Sequence, residues 1–145
     1  MSKFVYKFEA IKNVKESLEK KAQKEVALIQ LEIDKLQKEH DKILNEETLS
    51  RKNLLPKEML VGDIKFKKNY EMYLSRNRSI IIEKINKLNN EKEKKLLELI
   101  QKSKEHKIFD TLEGTLHENF NQEEKHKEKI FVDELASQKF VRQKK

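Results

Sequence analysis

The sequence predicts an all-α fold: a long antiparallel two-helix coiled coil whose second helix is the longer and overhangs at its C-terminal end. Three observations carry that expectation. Charged residues make up 41% of the 145 and hydrophobic residues only 36%, too few for a thick core. That supply does suffice for a seam using roughly two positions in seven. Gly (2) and Pro (1) are nearly absent, so a β-rich or loop-rich fold lacks its turn residues. The apolar residues recur at steps of three and four, and the charges are mixed in sign, which together oppose disorder.

The chain reads as one coiled-coil domain over residues 1–145. Helix one is expected over about 4–53, on the stripe Phe4, Phe8, Ile11, Val14, Leu18, Ala22, Val26, Ile29, Ile33, Leu36, His40 and Ile43. From Val26 to Ile43 the steps alternate three and four, a heptad seam favouring a left-handed supercoil. Leu18 to Ile29 is an eleven-residue step that locally unwinds it. Glu16 and Lys20 stand four apart on the outer surface, as an ion pair of modest worth.

The reversal is expected over about 54–63. Pro56 cannot continue a helix and pushes Leu55 out of the α region. Lys57-Glu58-Met59-Leu60 reads as one turn closed by Gly62, with Asp63 as N-cap of the next helix. Helix two is expected over about 63–142. Its stripe runs Phe66, Tyr70, Tyr73, Asn77, Ile81, Ile85 and Leu88, then Leu96, Leu99, Ser103, His106, Phe109, Leu112, Leu116 and Phe120, and later Ile130, Phe131 and Leu135. Gly114 marks a possible break, since a mid-helix Gly costs about 1 kcal/mol relative to Ala. At 1.5 Å per residue the helices span about 75 and about 120 Å. Phe4 would then face a residue near 112, leaving about 30 residues beyond the pairing as an amphipathic docking surface.

No enzyme is expected. Gly62 and Gly114 are too far apart for a phosphate cradle. With no Cys, and with His40, His106, His117 and His126 forming no ligand motif, neither a metal nor another cofactor is expected. Asp133 and Glu134 are adjacent, so on a helix they diverge and do not act as a paired acid and base. A two-helix rod offers no concave substrate pocket. The longest isoleucine run is Ile80-Ile81-Ile82, far short of a membrane span, so no direct membrane insertion is expected.

The net charge is +7, with basic excess in residues 1–25, 51–68 and 125–145. Such a surface suits nucleic acid, lipid headgroups or an acidic protein, and charge alone does not choose. Lys65, Lys67, Lys68, Arg76 and Arg78 surround Tyr70 and Tyr73 in a pattern that also serves stacking on single strands. Both tyrosines fall on the expected seam register, so packing is the preferred reading. A basic coiled-coil adaptor or nucleic-acid-binding rod remains the alternative function, and a homodimer without a reversal the alternative assembly.

The chain ends resemble the flagellar FliJ family. At the start the resemblance rests on Phe4, Tyr6, Phe8, Glu9, Ile11, Val14, Lys15, Glu16 and Glu19. Near the end it rests on Glu128-Lys129-Ile130-Phe131-Val132-Asp133-Glu134-Leu135-Ala136, followed by Phe140 and Arg142. The layout of helix, break near residue 60 and longer helix is similar over the whole chain.

The resemblance implies a non-catalytic part of the flagellar type III export apparatus, similar to the central coiled coil of rotary ATPases. Its implied partners are the hexameric flagellar export ATPase, the cytoplasmic domain of the export gate, and escort chaperones of late substrates. Nucleic acid is not among them. It further implies a location in the cytoplasm and peripherally on the cytoplasmic face of the membrane at the flagellar base, and the hairpin itself predicts a monomer. The family's gate contact maps onto Tyr73, Asn77, Ile80 and Lys84. Asn77 stands where the family has an apolar residue and Lys84 where it has a His, which shifts the expected contact toward Tyr70, Tyr73 and Ile81. The implied ATPase-ring contact comprises Phe4, Phe8, Ile11, Phe131, Asp133, Glu134 and Leu135.

Overall fold

The computed structural model describes residues 2–52 and 60–144. Two α-helices carry the fold, α1 (Glu9–Lys52) of 44 residues and α2 (Val61–Lys144) of 84 residues. The described residues are 94% helical and include no strand. The fold is the all-α antiparallel helix pair the sequence predicts, with the second helix longer. The expected reversal around Leu55-Pro56, and its turn at Lys57-Glu58-Met59, lie outside the described residues.

Both helices start differently from the expectation. Residues 2–6 are not helical, and α1 begins at Glu9. Along residues 4–8 the side chains alternate, with Phe4, Tyr6 and Phe8 turned inward and Val5 and Lys7 exposed. That period of two belongs to extended chain, not to a helix. The Tyr6 carbonyl accepts from the Glu9 amide at 3.3 Å, closing the turn into α1. At the other helix, the Leu60 carbonyl accepts from the amides of Asp63 (3.0 Å) and Ile64 (3.3 Å). Asp63 therefore lies inside the first turn instead of capping it, where its carboxylate still meets the positive end of the helix dipole. α2 runs unbroken through Gly114.

By internal contacts the chain divides into two units. One comprises Lys20–Ile100; its buried apolar side chains are Ala22, Ile29 and Ile33 of α1 and Leu74 and Ile81 of α2. Cross-helix contacts fix the antiparallel sense: Glu25 with Lys95 (3.4 Å), Glu47 with Arg78 (3.2 Å) and Ser50 with Glu71 (3.2 Å). Leu74 is only 3% exposed. Phe66, Tyr70 and Tyr73, expected on the seam, are exposed instead. The α2 seam here steps through Lys67, Glu71, Leu74, Arg78 and Ile81, one position away from the aromatic stripe.

The other unit comprises Met1–Glu19 and Gln101–Lys145. Here Tyr6 is the one buried apolar side chain among the described residues, and its hydroxyl donates to the Phe109 carbonyl at 2.7 Å. Phe8 meets Phe109 at a ring separation of 6.4 Å. Phe4 meets the edge of His117 at 4.8 Å and Phe120 at 5.5 Å. Phe4 thus reaches beyond the expected partner near 112, because extended chain advances more than twice as far per residue as helix. Ser2 extends the pairing to Glu124. Ile11 and Val14, expected on the seam, are exposed. Lys12 and Lys15 take the inward positions, each laying its stem along the seam and its ammonium on a carboxylate of α2.

Candidate interaction surfaces

The seam of the Met1–Glu19/Gln101–Lys145 unit is largely ionic. Lys12 pairs with Glu113 and lies 3.6 Å from Asp110. Lys15 pairs with Glu105 at 3.2 Å, and Glu19 with His106 at 2.6 Å. The hydrogen bond to Glu113 holds the Lys12 ammonium above its usual range, against the opposing effect of desolvation. Hydrogen bonds from Lys15 and then Gln101 hold the Glu105 carboxyl below its usual range. Desolvation is the first cause that pushes the Tyr6 phenol up, followed by the Glu113 charge. In the Lys20–Ile100 unit, the hydrogen bond to Glu25 likewise raises Lys95. These groups are engaged with one another across the helix pair, so they hold the seam closed rather than await a substrate.

The first expected contact surface lies on the opening turns of α2, within the Lys20–Ile100 unit. Tyr70, Tyr73, Ile80 and Lys84 are exposed there, with Tyr73 at 60%. Tyr70 reaches the Glu46 carboxylate of α1 at 3.5 Å. Phe66 and Met72 extend the exposed apolar area. Asn77 is half-buried, and Ile81 is buried in the seam. The six residues therefore split into an outward row and two that face or flank α1.

The second expected surface lies in the other unit. Phe4 and Phe8 are half-buried, and their rings are occupied by Phe109, His117 and Phe120. Ile11 is exposed. Phe131, Asp133, Glu134 and Leu135 sit on α2 beyond Glu124, where every described side chain is exposed. Phe131 is eleven residues past Phe120, about 16 Å along the helix. The N-terminal aromatics are thus brought to residues 109–120 and not to 131–135. Ile130, Val132 and Val141 add to the apolar surface of this last stretch.

Residue reasoning missed Tyr6, Leu74 and the inward lysines Lys12 and Lys15. Tyr6 did have a signal in the alternation Phe4-x-Tyr6-x-Phe8. Leu74 had none beyond being the next apolar residue after Tyr73. Among the described residues no cluster of His, Asp and Glu suits a metal ion, and no helix is long and apolar enough to cross a membrane. The groove lined by Lys104, Lys107, Ile108 and Thr111 lies on α2 alone.

The family model described as "Flagellar FliJ protein" matches residues 4–145. No curated protein and no solved structure matches the chain.

Proposed function

Because the chain belongs to the flagellar FliJ family and is thereby a flagellar type III export component, we propose that it is the central-stalk-like rod of that apparatus. In this reading it catalyses nothing itself. It docks into the hexameric export ATPase, contacts the cytoplasmic domain of the export gate, and binds escort chaperones. It works as a monomer in the cytoplasm, peripherally at the membrane face of the flagellar base.

The observation that carries this reading is the family match over residues 4–145, essentially the whole chain. Two features of the molecule support its finer parts. The exposed row Tyr70, Tyr73, Ile80 and Lys84 suits the gate, since apolar and aromatic side chains held outward on a packed helix are typical binding anchors. The exposed stretch of α2 past Glu124, with Phe131 and Leu135 beside Asp133 and Glu134, suits insertion into a ring lumen. Its basic excess assists encounter with an acidic lumen more than it selects one.

The test is co-purification with the export ATPase at low and moderate salt, with its ATP turnover measured alongside. One copy per hexamer and a raised turnover are expected. No association at either salt overturns the reading.

A further inference from the structure

Glu47 is the one buried charged side chain among the described residues, 5% exposed. Its carboxylate accepts from the Arg78 Nε at 3.2 Å across the helix pair. Burying a carboxylate is costly, and replacing such a pair by aliphatic residues commonly stabilises a protein. What the pair can supply instead is discrimination between alternatives.

The Glu25–Lys95 pair apart, the remaining seam of the Lys20–Ile100 unit discriminates poorly. Ala22, Ile29 and Leu36 of α1 stand seven residues apart, as do Leu74, Ile81 and Leu88 of α2, and a slide of one heptad exchanges one aliphatic residue for another at these positions. The connection does not forbid that slide. Eight residues separate Lys52 from Val61. They reach about 26 Å when extended. Two packed helices lie about 10 Å apart; with Ser50 opposite Glu71, Val61 already lies about 12 Å along the axis from Lys52, and a heptad slide changes this by about 10 Å either way, to a span of about 25 Å at most.

We propose that Glu47 and Arg78 form a register lock that selects one alignment of α1 on α2. A heptad slide in one direction sets Glu47 against Ile85, leaving a buried carboxylate with no cation. A slide in the other direction sets it against Glu71, a like charge, and sets Arg78 against His40. Either outcome is costly at this pair, while the aliphatic residues that stand seven apart exchange like for like. The selected alignment is the one that puts Glu46 beside Tyr70 and Ser50 beside Glu71. The exposed aromatic row of α2 therefore acquires fixed neighbours from α1. This inference rests on the seam and not on any partner.

The chain has no Cys, so spin labels can be attached to the full chain at Lys24→Cys and Lys84→Cys. Both positions are exposed and lie in the same unit. They sit at different levels along the helix pair, so a slide changes their separation directly. Pulsed dipolar spectroscopy on the parent is expected to give one distance. Glu47→Leu/Arg78→Leu is expected to melt no lower and to add a second population displaced by about 10 Å. The exchanged pair Glu47→Arg/Arg78→Glu is expected to restore a single distance. A single unshifted distance in the leucine pair overturns the lock. So does a split distance in the exchanged pair, which would deny that the charge pairing sets the register.

Discussion

The His106 Nδ1 and the Glu19 carboxylate stand 2.6 Å apart in the seam, with side chains only 23% and 18% exposed. A carboxylate in that position needs its partner. His106→Ala removes it and leaves the acceptor poorly solvated, at an expected cost of about 1 kcal/mol. For a chain of this length that is a fall in Tm of about 3 °C. Thermal melts followed by circular dichroism check it. An unchanged Tm in His106→Ala would mean that water replaces the imidazole without loss.

The acid limb of stability is expected to depend on Lys15. Its hydrogen bond is the first cause holding the Glu105 carboxyl low, so folding favours the ionised form. The resulting stabilisation is present above the unfolded carboxylate range and is lost as pH falls through the lowered folded value. Lys15→Met is expected to flatten the decline in the window from the ordinary carboxylate range downward. Melts of both proteins across that window, at one ionic strength, give the comparison. Parallel declines would show that this pair contributes nothing in solution.

How much of this was legible in the sequence depends on what fills the seam. From Val26 to Ile43 the seam is aliphatic except at His40, and counting threes and fours located it: Ile29 and Ile33 are buried as expected. Where charged residues take the inward positions, the count went astray. Lys12 and Lys15 displace Ile11 and Val14 because their stems are apolar and their charges meet carboxylates about a hundred residues away. Nothing local announces those partners. The start of α2 carries two competing stripes, and the aromatic one is the more conspicuous. Leu74 takes the seam there, with Glu71 bonded to Ser50 and Arg78 to Glu47. The shift by one position is what turns Tyr70 and Tyr73 outward, so the error in packing was also an error about what the surface offers.

That shift yields a paired prediction. Leu74→Ala empties a position 3% exposed and is expected to cost about 2–4 kcal/mol. Tyr73→Ala, one residue earlier but exposed, is expected to stay within about 0.5 kcal/mol of the parent. If the outward row contacts the export gate, affinity for the gate's cytoplasmic domain falls in Tyr73→Ala and Ile80→Ala while their melts stay level. Calorimetric titration against that domain separates the two effects. Equal binding by the parent and both variants would move the gate contact elsewhere.

Ending the chain after Glu124 removes the stretch of α2 whose described side chains are all exposed. The cross-helix contacts of Ser2, Phe4, Tyr6 and Phe8 involve Glu124, Phe120, His117 and Phe109, and all of these survive the truncation. The melting curve is therefore expected to change by no more than about 2 °C, less than the loss of one packed side chain. Stimulation of the export ATPase is expected to disappear. A truncated chain that still stimulates fully would assign ring docking to the N-terminal aromatics and not to Phe131 and Leu135.

Gly114 lies inside continuous α2, and a Cβ built there meets nothing within 4 Å. Its φ is not positive, so no left-handed conformation requires glycine. Ala at such a site loses less backbone entropy on folding, and Gly114→Ala is expected to stabilise by about 0.5–1 kcal/mol. Its neighbour Glu113 pairs with Lys12, so the gain falls in the ionic seam, where aliphatic burial is scarce. Packing gives no reason for the glycine, which leaves motion as the reason to examine. A stiffened α2 that stimulates the ATPase as well as the parent would show that bending at this residue is not used. Lower stimulation together with a raised Tm would show that compliance at Gly114 matters to coupling, since an added Cβ there reaches no packed neighbour within 4 Å.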